Sequence, residues 1–485
     1  MSTATAVETP PAPAPRSRQE DARQFLERLF PPSEPRPIRR RNVLLGLLAV
    51  AVGTVVSLAR TTGTGPFQSI WEEDARDLLT DALNRPGAYN LVKPYVGYFQ
   101  VGPRALAEVA TFFPLSWAAA VLSLEAAILT AAMTLAVYVA SGALLRNPLA
   151  RFMVAAPMLF SPTAENILSE IYNRPATLQF FLVYTVFWLM LWVPGGRWGR
   201  AVQVGVVGLS AISTFLVVLL IPLAVVRLYV RRDKLSAWLL GFLLTGAFIQ
   251  LAGLHYRLTN RDFVTPYYHP EWALGGFVTW AVPHSLLGYH LAQGTSDVQR
   301  TNSHNIAVVV AAWLILAAVV AVAVRRLTRP MWLLATVAGA HCVALLSMTV
   351  MANGALTQRY LVPVEMLLFT AMVALLMPAA ERFKPTTAYA PLAVFTVFVL
   401  VVSAFNYRWH NTWRAQAPRW TDQVKLAAAA CKDNGRRTVV VRSGPAPWWS
   451  LVTVPCHDVN KNQWCQNPYC IQIDGLPARP YRSEP

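Results

Sequence analysis

Charge is scarce in this chain. Only 14% of its 485 residues are Asp, Glu, Lys or Arg while 55% are hydrophobic, a balance that excludes a set of water-soluble domains wrapped in charged surface. Acidic residues are the scarcer sign, 25 against 42 basic, for a net charge of +17. Cysteine is rarer still at five, four of them after position 430, so no disulfide framework or metal-binding repeat runs through the chain. Several motifs are missing altogether. There is no Walker loop, no dinucleotide fingerprint and no HExxH, which leaves ATP-driven transport, nicotinamide chemistry and zinc proteolysis without sequence support.

What is present is a series of long apolar runs, at 43–59, 113–140, 150–162, 176–193, 201–214, 215–230, 236–254, 305–324, 331–350, 360–379 and 388–404. A bilayer core needs about 17 to 25 apolar helical residues, so the pattern predicts an all-α polytopic membrane protein of about eleven transmembrane helices. The runs at 150–162 and 201–214 are short, and 201–230 requires a sharp reversal near Ser210 to Thr214. Basic residues collect in the short connections: Arg39 to Arg41, 146–151, 194–200, 227–234, 325–329 and 381–384. All six fall on one side if the N-terminus is cytoplasmic, as the positive-inside rule requires, and this accounts for the positive charge without a nucleic-acid partner.

Residues 1–42 have too little apolar content to pack and read as a disordered basic cytoplasmic tail, with a short amphipathic turn at "RQFLERLF". The following apolar run is too long for a secretory leader and reads as a signal anchor. Span counting places 405–485 on the opposite side of the membrane. There Cys431, Cys456, Cys465 and Cys470 make an even set in an oxidising compartment, most simply paired 431 with 456 and 465 with 470. Zinc near His457 is the competing reading, though the spacing is not that of a standard finger. Cys342, inside a run, reads as a small buried apolar residue.

The acids concentrate in one place, "SIWEEDARDLLTDALNRPG", directly after the first run and at the start of an outer loop over 60–112. Ser69 followed by Glu72 has capping-box spacing, so a helix is expected from Ile70. Asp74, Asp77 and Asp81 then share a stripe with Glu73 at its edge, opposite Ala75, Leu78, Leu79, Ala82 and Leu83. Such a helix would lie on the membrane surface with its acids toward an outer cavity. A merely solvated helix face fits the composition equally well.

An acidic pair just after the first span, Glu73-Asp74, in a large outer loop with a juxtamembrane helix, resembles the GT-C class of membrane glycosyltransferases. "PYVGYFQVGPR" (Pro94 to Arg104) and "QRYLVPVE" (Gln358 to Glu365) are similar to stretches of its bacterial members. The resemblance implies a GT-C-like domain over 43–404, with outer loops at 60–112 and 255–304, and a small extracytoplasmic domain over 405–485. It also implies a polyprenyl-phosphate sugar as donor and a cell-envelope glycan, lipid or protein as acceptor at the plasma (inner) membrane.

Transfer from a lipid phosphate needs a carboxylate to take the acceptor's proton and cations to hold the departing phosphate. Asp74 is the candidate base. Glu73 would help to position the acceptor or, if a divalent cation (Mg or Mn) takes part, bind it together with Asp74. Arg359 is the candidate phosphate clamp beside Tyr360, because guanidinium offers phosphate a two-pronged contact; an interfacial Arg next to a belt Tyr is its bland alternative. Arg104, Arg174 and Arg261 are further donor-binding candidates. Glu165, Glu170 and His269 are candidates for a second acidic or acceptor site. Glu125, His341 and Glu365 are ionisable groups within or beside apolar runs, where a helix-packing role competes with a functional one. A transporter or lipid flippase is the rival reading, but it calls for midplane charges and related halves, whereas the acids here sit in an outer loop. A non-catalytic envelope-assembly protein is the third.

Reporter fusions test the orientation: a fusion at residue 232 should give a cytoplasmic signal and one just after 410 an exported signal. An exported signal at 232 would overturn the sidedness of every loop.

Overall fold

A computed structural model describes residues 18–33, 39–85, 87–95, 97–163, 171–259, 270–293, 295, 303–353, 358–408, 412–432, 436–445 and 450–459. Of the described residues 75% are helical, and each of the eleven apolar runs falls on helical backbone. Among the described residues seven helices are long and apolar enough to cross a membrane: Arg40–Ala59, Leu115–Ala143, Lys234–His255, Ser303–Val324, Trp332–Met351, Gln358–Leu375 and Pro385–Phe405. Shorter apolar helices occupy Pro148–Phe160 and Pro175–Leu191. The anticipated reversal is present: helix Arg197–Ser213 ends, Thr214 is extended, and a tight helical turn from Phe215 leads into Ile221–Arg231.

Burial separates the helices by position. Only 17% of the most apolar stretch of Arg40–Ala59 is covered by protein, against 83% for Gln358–Leu375, so the former is a peripheral helix and the latter runs through the core. Leu361, Val364, Phe369 and Met372 of that central helix meet Phe180, Tyr184 and Phe187 in the main apolar cluster.

The two ends of this bundle differ. At one end the N-terminal segment is tied down rather than free, which corrects the expectation of a disordered tail as far as residues 18–33 are concerned. Helix Arg18–Glu27 is followed by Leu29 and Phe30, both in the main cluster. Arg23 donates to the Val230 carbonyl, Ser33 N–H to Val193 O at 2.9 Å, and Trp192 Nε1 to Ser33 Oγ at 3.0 Å. The arginine-rich connections 192–200 and 227–234 therefore lie at the same end as this segment.

The opposite end carries a second, smaller apolar core. Here Ile70, Ala75, Leu78, Leu79, Ala82 and Leu83 pack with Leu115, Ala119, Trp420, Val424, Val452 and Val454. A two-stranded antiparallel sheet, β1 (Thr438–Arg442) and β2 (Leu451–Pro455), and helix Trp420–Ala430 form the C-terminal part of it. Trp420 is its anchor, with backbone N–H on Gln68 O at 2.8 Å and Nε1 on Leu115 O at 2.7 Å. The apolar side of the acidic stretch thus faces this protein core, not a bilayer surface. The periodicity identified the buried side correctly, and tertiary packing supplied a different neighbour.

Cys431 and Cys456 are disulfide-bonded, with Cα atoms 5.4 Å apart, joining the end of helix Trp420–Ala430 to the end of β2. Cys342 is a buried free thiol donating to Val364 O. Cys465 and Cys470 lie outside the described residues. Peptide mapping without reduction should recover a 431–456 crosslinked peptide from the purified protein; free thiols at both positions would contradict the pairing.

Candidate functional site

The acidic stretch does not start as a capped helix. Ser69 Oγ bonds to Gly65 O, and the Glu72 N–H that a capping box would direct to Ser69 Oγ is taken by Gly444 O at 2.9 Å. Trp71 pairs with Gly444 as an isolated bridge, and Ser443 Oγ bonds to Ile70 O. The C-terminal domain therefore shapes the backbone that carries the acids. Glu72 is held at φ +43°, a left-handed conformation that a non-glycine residue adopts at some cost. Helical winding begins at Asp74 as a widened π turn to Leu79, of a kind that recurs at functional sites. The expected capping box is absent because a residue 372 positions away claims its donor.

The widened turn breaks up the predicted stripe. Asp81 pairs with Lys93 Nζ at 2.7 Å and with Arg104 Nη1 at 3.0 Å, and Asp77 pairs with Arg76. Arg104 is buried on Asp81 and Asn90, in a network continued by Glu108, and does not join the other candidates. Glu72, Glu73 and Asp74 instead converge on one guanidinium, that of Arg174, whose side chain is 2% exposed. Arg174 Nε donates to Asp74 Oδ2 at 3.0 Å, Nη2 to Glu73 Oε2, and Nη1 lies 3.7 Å from Glu72 Oε2. The second Asp74 oxygen accepts from Ala176 N–H at 2.9 Å. Glu73 has a second cation: Arg359 Nη1 donates to its Oε1 at 3.2 Å, and the Arg359 guanidinium lies 5.8 Å from the Tyr360 ring centre. Tyr360 packs edge-on against Phe180.

These positions differ in what they offer. Asp74 is 2% exposed with both oxygens engaged, so it fixes Arg174 in place. Burial raises its pKa, against the opposing pull of Arg174. Glu73 is 13% exposed; burial pushes its pKa up, but the Arg174 and Arg359 guanidiniums outweigh burial and hold it at about 2. Glu72 has only a distant share of Arg174, and burial lifts it to about 7, with the neighbouring Glu73 charge adding to the rise. Arg359 is the most open member, its side chain 29% exposed. Beside them the Tyr95 and Tyr98 rings sit at right angles, centres 5.8 Å apart, on a tight turn closed by reciprocal backbone hydrogen bonds.

Arg174 reaches the acids because its flanks are fixed. Asn173, at φ +61°, donates from Nδ2 to Ser57 O and Thr61 Oγ1 and accepts from Ser57 Oγ, tying the loop to the first long helix. At the loop's other end Glu365 Oε2 accepts from Ser161 Oγ at 2.9 Å and from Thr163 N–H at 3.3 Å, while Arg60 donates to Leu159 O and Ser161 O. Glu365 lies on the helix that follows Arg359, so one element positions both the clamp and the loop. Glu125 has a buried oxygen without a hydrogen-bond partner. Glu165, Glu170, Arg261 and His269 lie outside the described residues.

Among the described residues no group of three or more His, Cys, Asp or Glu is arranged to hold a metal ion. The Glu73 and Asp74 oxygens that would ligate one face guanidinium or amide N–H groups, so a divalent cation does not fit this arrangement of donors. Compared with known protein families and with curated proteins, the chain matches none.

The two shifted glutamates act in separate pH windows. Glu72, raised from its ordinary 4.5 to about 7, binds its proton more tightly when folded, so its contribution to stability declines as pH rises through that interval. Glu73, lowered from 4.5 to about 2, contributes stability above 4.5 that is lost as pH falls toward 2. The thermal midpoint in detergent should therefore drop between about pH 5 and pH 7.5, and Glu72→Gln should flatten that slope. An unchanged slope in the variant would show that Glu72 is not the group responsible.

Proposed function

We propose that the protein is a polytopic membrane glycosyltransferase of GT-C-like architecture that moves a sugar from a polyprenyl-phosphate donor to a cell-envelope acceptor. The observation that carries this reading is Glu73 held between Arg174 and Arg359, 101 and 286 positions away in sequence. A carboxylate and a half-open guanidinium are thereby placed side by side at the end of the bundle where the disulfide domain packs. The four helical segments shorter than a standard span supply four further crossings, for eleven in all. The arginine-rich connections at the other end support a cytoplasmic position for it and for the N-terminus, and the disulfide supports a position for the C-terminal domain outside the plasma membrane.

In this mechanism the donor phosphate takes Arg359 from Glu73. The acceptor hydroxyl oxygen attacks the anomeric carbon as the bond from that carbon to the phosphate oxygen breaks. Polyprenyl phosphate leaves with the electron pair, its charge met by Arg359, and the hydroxyl proton passes to Glu73. Losing one of its two cations raises the proton affinity of Glu73 when a base is needed. Glu73, rather than the fully engaged Asp74, is thus the better placed acceptor of the proton, and Asp74 holds Arg174. A non-catalytic assembly role draws on the same geometry, since saturated ion clusters also serve as structure alone.

Transfer from a polyprenyl-phosphate sugar, assayed in the parent membrane, separates the two. Glu73→Gln should lower turnover by roughly 10²–10⁴, far more than is explained by the loss in thermal stability that follows from removing its charge from between Arg174 and Arg359. Asp74→Asn should lower both, Glu72→Gln should stay within about tenfold of the parent, and Arg359→Lys should impair donor use because a point charge replaces a fork. Normal transfer in Glu73→Gln would end the transferase reading of this site.

A further inference from the structure

The C-terminal domain carries an excess of positive charge on the side of the membrane where the positive-inside rule gives no reason for one. Residues 419–442 contain six Lys or Arg against Asp422 and Asp433. Asp422 is within 3.7 Å of Lys425, and Asp433 lies outside the described residues. The fold gathers three of the cations at one corner. The 431–456 disulfide brings Lys432 next to Cys456, and Cys456 N–H donates to Arg437 O at 2.9 Å, which draws Arg436 and Arg437 to the same point. Lys432, Arg436 and Arg437 are all exposed, and no ion pair is formed by any of them among the described residues.

From this corner β1 runs directly to the acidic site. Its exposed edge includes Arg442, and two residues further on Gly444 accepts the Glu72 N–H. Seven residues of nearly extended chain span roughly 20 Å. A row of cations thus starts at the disulfide corner and ends beside the carboxylates, on a strand whose other residues supply the small outer core.

We propose that this row is a binding track for a polyanionic glycan, which lies along β1 with its end at the carboxylate site. The inference rests on the transferase reading for the meaning of that end, since it names the acceptor as an anionic polymer. The track itself depends only on the charge and its placement. An extended polymer suits it better than a compact anion, because three solvent-exposed cations meet at the disulfide corner and a fourth, Arg442, lies at the far end of β1, separate contacts that each bind weakly and gain from being engaged together.

The test uses the full-length protein in neutral detergent with heparin, an anionic glycan, and neutral dextran as probes. Heparin should bind and dextran should not. Lys432→Ala/Arg436→Ala/Arg437→Ala should weaken heparin binding at least tenfold and reduce the slope of log affinity against log salt by about two to three, as loss of that many ionic contacts requires. Arg442→Ala should cost less. Because these residues lie away from the acids, the triple variant should still transfer to a short neutral acceptor, whereas Glu73→Gln should bind heparin normally. Undiminished heparin binding by the triple variant, or equal binding of dextran, would overturn the track. So would retention of the corner's effect only on phosphatidylglycerol vesicles, which would mark it as a membrane contact. Loss of heparin binding in the triple variant together with no transfer by the parent protein itself would leave the track standing and remove the transferase reading.

Discussion

Arg174 carries its charge into a position where 2% of its side chain meets solvent, and three consecutive acidic residues meet it there. A buried guanidinium without counter-ions would cost several kcal/mol, and three carboxylates without a cation would repel one another by a comparable amount. Each side of the cluster therefore makes the other tolerable. The rest of the outer end is arranged to hold this contact: Asn173 ties the Arg174 loop to the first long helix, Ala176 N–H completes Asp74, and Gly444 fixes the backbone of Glu72.

Within that frame the three acids have been made unequal. Asp74 is closed off, Glu73 is shared between two cations, and Glu72 is left with a weak partner and a strained backbone. Side chains alike in chemistry thus differ in proton affinity through their surroundings, a property of sites that hold and move protons. The C-terminal domain takes part in this inequality through Gly444 and Ser443, and its disulfide closes the unit that presents them. It belongs to the site as much as the membrane helices do.

The helical architecture was legible because apolar length and the placement of arginines are local properties that a bilayer enforces. The 431–456 pairing was legible for a similar reason, as the simplest closure of an even set of cysteines. Glu73 and Arg359 were each singled out, in separate roles, through a resemblance to short motifs, and Arg174 was among the candidates from its outer-loop position; that the three meet was not legible. What local rules missed required distant partners. Ser69 and Glu72 have the spacing of a capping box, yet Gly444 takes the backbone donor that such a motif would serve. The acidic stripe was drawn at 100° per residue, and the π turn at Asp74–Leu79 changes that angle. Arg104 belonged to Asp81 because helix Val101–Ala110 packs on the acidic stretch from another side. No signal within residues 69–87 could have announced a neighbour at residue 420 or 444.

In the proposed mechanism Glu73 and a donor phosphate compete for Arg359. A density map of the protein in a lipid nanodisc with polyprenyl monophosphate tests it most directly. The expected map has a phosphate on the Arg359 guanidinium, the Arg359–Glu73 contact opened, and Arg174 still on Asp74. A map with the Arg359–Glu73 pair intact and the phosphate bound elsewhere would contradict it.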